Sequence, residues 1–154
     1  MLSGLSAVRF VAVPAPATFT RDNADATGVI ITGGWSASTA VAGYYGSNYL
    51  SDGNPAVKGA HSVSFAPGSL GSTGVFEVFA RWTSGSDRAT NARFDILTAT
   101  GTKTVLVNQR TRGKLWVSLG YFRLNAFGAT VTVRNDGADG LVIADAVQVV
   151  RVSD

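Results

Sequence analysis

Four amphipathic rings, Trp35, Tyr44, Tyr45 and Tyr49, fall within fifteen residues, set among glycines and small polar side chains. Trp and Tyr join an apolar ring face to a polar tip. That combination suits a sugar, which presents C–H groups on its face and hydroxyls around its rim. The surrounding composition reads as loop. Loop rings either stand out as stacking platforms or plug the ends of a core that loops must cover. Arg88 and Asn91, in the loop region after Trp82, add donors for hydroxyls. These six residues form the candidate ligand-binding set, while Trp82 and Trp116 fall in strand patterns and are expected in the core.

Residues suited to breaking bonds are sparse. His61 is the only histidine, it lies in an alternating strand pattern, and no G-x-S-x-G element accompanies it. A glycosidase needs two opposed carboxyl groups. Glu77, the single glutamate, alternates outward on its strand, and most aspartates fall in turns. The absence of cysteine excludes thiol nucleophiles, thiolate metal sites and disulfides. No catalytic residue is therefore expected, and the chain does not read as an enzyme. Calcium is the one cofactor left open. Its oxygen ligands occur at Asp22-Asn23-Ala24-Asp25 and at Asn135-Asp136-Gly137-Ala138-Asp139-Gly140, or Asp145 could bridge to the first strand. None of these has the spacing of a calcium-binding hand, and Asn-Asp-Gly is first of all a hairpin signal.

Asp145 stands out for another reason. Alternation along Leu141–Val150 makes both faces largely apolar, so this strand is expected to be central, with Asp145 pointing among apolar neighbours. A buried carboxylate needs a cation or several donors. Val105, Val107 and Gln109 share a face on another strand pattern. The expectation is a structural polar network of Arg88, Gln109 and Asp145 joining strands, with donors for Asp145 drawn from Arg88 and Asn91. The alternative is that Asp145 and its partners line a ligand site.

The elements that must position these groups are short and extended. Period-two patterns cover Gly28–Thr32, His61–Phe65, Val75–Trp82, Arg93–Thr98, Lys103–Gln109, Leu115–Leu124, Thr130–Arg134 and Leu141–Val150. Glycine, Asn, Asp and Ser clusters separate them. Short strands at such spacing predict a single all-β domain, a sandwich or barrel. The chain has 154 residues, enough for one core without staples. Helical surfaces favour Glu and Lys, yet there is one glutamate and there are three lysines.

The net charge is +3, with ten arginines scattered rather than striped, which argues against a nucleic-acid partner. The longest apolar stretch, Phe10–Ala17, contains two prolines and is far shorter than the ~20 residues a membrane span requires. The start lacks the positive charge of a secretory signal. Residues 1–20, with Pro14-Ala15-Pro16, read as an edge strand plus connector or as an arm that docks on a neighbour, ahead of a domain over 21–154.

An ordered set of motifs then resembles a known family. It runs Asp22-Asn23-Ala24-Asp25, Gly34-Trp35, Gly43 to Tyr49, Gly74 to Trp82, Arg88 to Ala92, Val107-Asn108-Gln109, Trp116 with Leu119-Gly120, and Ile143 to Val147. This is similar to the golvesin C-terminal domain family, the carbohydrate-binding-like domain of xanthan lyases, over about residues 20–151. The resemblance implies an antiparallel, jelly-roll-like β-sandwich carried as a non-catalytic accessory by secreted bacterial enzymes. It places Arg88, Asn91, Gln109 and Asp145 among recurrent polar positions. The expected role is binding or adhesion to a glycan or cell-surface polymer outside the cell. A structural virion surface protein, a decoration or fibre subunit anchored through residues 1–20, is the alternative. Residues 1–20 could equally join the module to a parent enzyme.

Overall fold

The computed structural model describes Gly4 and residues 16–154. The remainder of the expected N-terminal arm, residues 1–3 and 5–15, lies outside the described residues. Twelve strands and no helix make up the described fold. They are β1 (Thr18–Asp22), β2 (Val29–Thr32), β3 (Ser36–Ser38), β4 (Tyr49–Ser51), β5 (Ser62–Phe65) and β6 (Gly74–Arg81), then β7 (Ala92–Thr98), β8 (Gly101–Val107), β9 (Val117–Leu124), β10 (Val131–Arg134), β11 (Ile143–Ala144) and β12 (Ala146–Ser153). A four-stranded sheet in the order β1-β12-β6-β9 and a five-stranded sheet in the order β2-β5-β10-β7-β8 form the two layers. A third sheet, β11-β4-β3, lies apart from both. All strand ladders are antiparallel, and the fold is an antiparallel jelly-roll-like β-sandwich.

Alternation explains the layers. In β6, Phe76, Val78 and Ala80 are buried while Val75, Glu77 and Phe79 are half-buried on the other face. In β7, Ala92, Phe94 and Ile96 point in while Arg93, Asp95 and Leu97 point out. Val63 and Phe65 of β5 and Val131 and Val133 of β10 complete that inner face. Side chains on successive strand residues must face opposite ways, so each strand delivers its apolar half to one core. Trp82, just past β6, is sealed in that core and its Nε1 donates to the Thr111 carbonyl at 2.9 Å. The β6–β9 ladder shifts register between Val78 and Phe79, with Gly120 at φ 124° on the facing strand. A bulge there needs a residue that tolerates positive φ.

Several boundaries differ from the sequence reading. The predicted strand Leu141–Val150 is two strands in two different sheets, broken at Asp145. The predicted strand Leu115–Leu124 begins at Val117, so Trp116 precedes it, half-buried instead of in the core. The segment read as all loop contains β3 and β4. Asn135–Gly140 does not close a hairpin: it carries the chain from β10, paired with β5 and β7, to β11, paired with β4. At the start, β1 continues across residue 20 as an edge strand paired with β12.

Candidate functional site

The aromatic segment is held by the small third sheet, which separates its rings into different places. The loop between β3 and β4 carries Tyr44 and Tyr45 between two glycines with positive φ, Gly43 (104°) and Gly46 (69°). A Cβ at Gly43 would collide with the Lys114 side chain, and one at Gly46 would stand 2.7 Å from a carboxylate oxygen of Asp22. The loop can therefore press against both the end of β1 and the turn before β9 only because these positions lack side chains.

Tyr45 emerges from this loop 38% exposed. Its ring lies 5.4 Å from that of Trp116, tilted by 58°. The Arg81 guanidinium sits 5.8 Å from the Trp116 ring centroid, and its Nε donates to the Gly43 carbonyl at 3.1 Å. Lys114 is exposed beside the same loop. The result is a tilted pair of aromatic rings flanked by two cations.

Asp145 fastens the base of this feature. Its carboxylate accepts the Tyr45 N–H at 2.9 Å. Burial pushes its pKa up to about 7, against the lowering effect of that hydrogen bond; the Asp22 carboxylate raises it further and the Arg81 charge lowers it. Asp22 is itself raised, mainly by burial, with the Ala24 N–H opposing and the Asp25 charge assisting. The structure thus brings Asp145 close to the end of the first strand. The donor differs from expectation: it is Tyr45, because Arg88 and Asn91 are engaged elsewhere.

The other rings are placed differently. Tyr49 lies in β4 and is 3% exposed, so it offers no face to a partner. It packs 6.1 Å from the half-buried Tyr44 ring, with the Arg88 guanidinium 5.9 Å away. Its hydroxyl accepts from Ser38 Oγ at 3.2 Å. Trp35, half-buried, meets His61 edge-on at 6.3 Å and donates to the Thr32 carbonyl at 3.0 Å. Its ring partner is thus a histidine and not one of the tyrosines.

The polar residues are committed internally. Arg88 is buried and donates to the Thr83 carbonyl (3.2 Å), the Thr83 hydroxyl (3.3 Å) and Asp87 (2.6 Å). Asn91 Nδ2 donates to the Gly137 carbonyl at 3.0 Å, and its Oδ1 accepts the Asp139 N–H at 2.9 Å. Gln109, fully buried, donates to the Ile143 carbonyl and accepts the Ile143 N–H, both at 2.9 Å. Arg88, Gln109 and Asp145 therefore serve three separate fastenings rather than one network. The same holds for the acidic turn Asn135–Gly140: Asp136 pairs with Arg134 at 2.6 Å, and Asp139 receives Thr90 through both its N–H and its hydroxyl. Among the described residues, no three His, Cys, Asp or Glu side chains converge as a metal site.

Sequence reasoning missed Trp116, Arg81 and Lys114 as neighbours of the exposed Tyr45 ring. Trp116 was hidden because its flanking residues extend the β9 alternation by one turn of the pattern. The signal that could have found it is the Gly113-Lys114 turn immediately before. Asp52 was also missed. It is 2% exposed and accepts from Val142 N–H, Asn54 N–H, Asn135 Nδ2 and Lys58 Nζ.

Comparison with known proteins identifies the family and the fold. The family model described as Golvesin C-terminal domain matches residues 19–151. A xanthan lyase of Bacillus sp. (strain GL1) is 42% identical over 135 residues, which is 85% of this chain and 14% of that protein. The solved Paenibacillus xanthan lyase superposes with a TM-score of 0.84 at 38% identity, over 88% of this chain and 13% of that one. A Podospora anserina GH26-CBM35 β-(1,4)-mannanase shares the fold alone, with a TM-score of 0.61 at 18% identity over 91% of this chain and 28% of that one. The chain spans about one-seventh of the lyase it matches, so the likeness concerns one module of a larger enzyme. With the match covering β1 to β12, the chain belongs to the Golvesin C-terminal domain family.

Proposed function

We propose that this chain is a non-catalytic carbohydrate-binding module, working outside the cell beside a polysaccharide-active enzyme, and that it grips glycan at the Tyr45–Trp116 ring pair. The observation that carries the reading is this pair: Tyr45, exposed on a glycine-bracketed loop, against the half-buried Trp116 ring ahead of β9, with Arg81 and Lys114 at their sides. Rings of this kind stack on the C–H face of a sugar, and the cations reach hydroxyl or carboxyl oxygens at its rim. Trp35 and Tyr44, each half-buried, contribute at most one edge; Tyr49, Arg88 and Asn91 act as scaffold. His61 and Glu77 lie on different sheets, in β5's approach and in β6, and make no acid–base pair. The related enzymes named for polysaccharides favour this reading over a virion component, for which no relative speaks.

Xanthan is the first probe, because the related lyases carry its name. Affinity electrophoresis in xanthan gels should retard the protein. Tyr45→Ala and Trp116→Ala should each weaken retention about tenfold or more, about 1.4 kcal/mol or more, while leaving the fold intact. No new sugar ends should appear on prolonged incubation. Wild-type retention by both variants would refute the site, and release of fragments would refute the non-catalytic assignment.

A further inference from the structure

We propose that the outer face of the five-stranded sheet is a second saccharide-binding surface, with Arg93 as the receptor for a sugar carboxylate. This surface is on a different layer from the Tyr45–Trp116 loop and does not rest on that reading.

Cross-strand register builds the surface. Thr132 faces Ser64 on one side and Asp95 on the other, and Asp95 faces Thr104. The next row sets Arg134 between Ser62 and Arg93, with Leu106 beyond. A groove runs over Arg93, Asp95, Leu97 and Thr102, and continues past Thr132 and Arg134 towards His61.

The charges of this groove are unevenly satisfied. Arg134 holds Asp95 at 3.0 Å and takes both oxygens of Asp136 at 3.1 and 2.6 Å. The remaining Asp95 oxygen accepts from Thr104 at 2.7 Å. Every carboxylate oxygen of the groove thus has a donor. Arg93 has no ion pair or side-chain hydrogen bond among the described residues, and its Nε is buried without a partner. It stands directly across from Arg134, whose charge Asp95 and Asp136 already answer, and its own charge reaches Asp136 only through space. A buried, unpartnered donor costs stability. A carboxylate is the group that answers a guanidinium fork in two parallel hydrogen bonds.

What surrounds Arg93 narrows the ligand to a sugar acid. Leu97 is 42% exposed and Leu106 61%, offering apolar contact for a C–H face. The Thr102 and Thr130 side chains line the same groove and are engaged with no other side chain among the described residues. Carboxylate, hydroxyls and C–H face are together the surface of a uronic acid. A plain anion would leave the leucines and threonines without a role.

The test uses the chain with amides labelled by ¹⁵N, titrated with cellobiouronic acid and, separately, with neutral cellobiose. The acid should shift amides of β7 and β10 in a saturable way, and Arg93→Gln should weaken that binding tenfold or more. The spectrum of the variant reports at once that it is folded. Trp116→Ala should leave the β7 and β10 shifts unchanged. Shifts confined to the Tyr45 loop, unchanged affinity in Arg93→Gln, or equal shifts with cellobiose would each overturn the proposal, while leaving the loop site standing. Wild-type shifts at the Tyr45 loop in Trp116→Ala, beside β7 and β10 shifts that Arg93→Gln weakens, would do the reverse and leave the sheet surface alone standing.

Discussion

Asp145 shows how one side chain ties the fold to the exposed loop. It is 1% exposed, its carboxylate receives a single hydrogen-bond donor, and its pKa stands near 7 in the folded chain. In the unfolded chain an aspartate titrates near ~3.9. The folded state therefore holds this proton more tightly. The stabilisation from Asp145 is complete below about pH 4 and is lost as pH rises through about 7. Three pH units at about 1.4 kcal/mol each set a ceiling of about 4 kcal/mol. Asp145→Asn keeps an acceptor for the Tyr45 N–H and has no charge to bury. Thermal melts from pH 4 to 8 should show this variant gaining on the wild type as pH rises, and exceeding it above pH 7. Parallel curves for the two proteins would contradict the buried-charge account. Asp145→Ala has a smaller meaning than the sequence suggests: it strands one N–H, worth about 1–3 kcal/mol, and not a set of donors. Alternation made the burial of this residue legible. It could not show that the chain changes sheets there, because both halves of the segment alternate in the same phase.

Buried polar side chains cross-link several elements of this fold. Asp52 follows β4 and binds Val142 ahead of β11, Asn135 after β10 and the Lys58 ammonium at 3.2 Å. Gln109 follows β8 and closes a two-bond clasp on Ile143 of β11. Removing either partner of such a clasp leaves unpaired groups in a dry interior. Asp52→Ala should cost about 3–5 kcal/mol, since it also strips a cation of its partner. Gln109→Leu should cost about 2–4 kcal/mol for two stranded backbone groups. Chemical denaturation should read both as lower midpoints with unchanged slopes. Unchanged midpoints would mean that water replaces the lost bonds. Long strands such as β6 and β7 were legible because seven or eight residues give period two room to repeat. The three-residue strands β3 and β4 were not, since Ser36–Ser38 is small and polar and Tyr49 stands among glycines and small polar residues that read as loop. The tyrosines sort into platform and core by whether a glycine precedes a turn or a strand begins, and that is decided by tertiary contacts with Lys114 and Asp22.

The chain as a whole is mildly basic, and the described part is a sandwich whose cations are spread over several strands and loops. Its charge of +3 arises from thirteen basic and ten acidic residues, and six described ion pairs absorb part of both sets. Arg81 and Lys114 at the loop, and Arg93 on the sheet, remain outside those pairs. If both proposed surfaces bind, a long polymer can engage the two together, so that the second contact forms at high local concentration. The cations make that engagement sensitive to salt, since screening shortens from about 10 Å at 0.1 M to about 3 Å at 1 M. Ring stacking carries no such dependence. A carboxylated polysaccharide should therefore bind several-fold more weakly in 0.5 M than in 0.05 M sodium chloride, and its carboxyl-reduced form should bind alike in both. Arg93→Gln should flatten the salt response of the acidic polymer without abolishing binding, because the Tyr45–Trp116 rings remain. A salt response equally steep in that variant would place the electrostatic contact elsewhere on the surface, and a salt-independent wild type would leave the aromatic rings as the whole of the interaction.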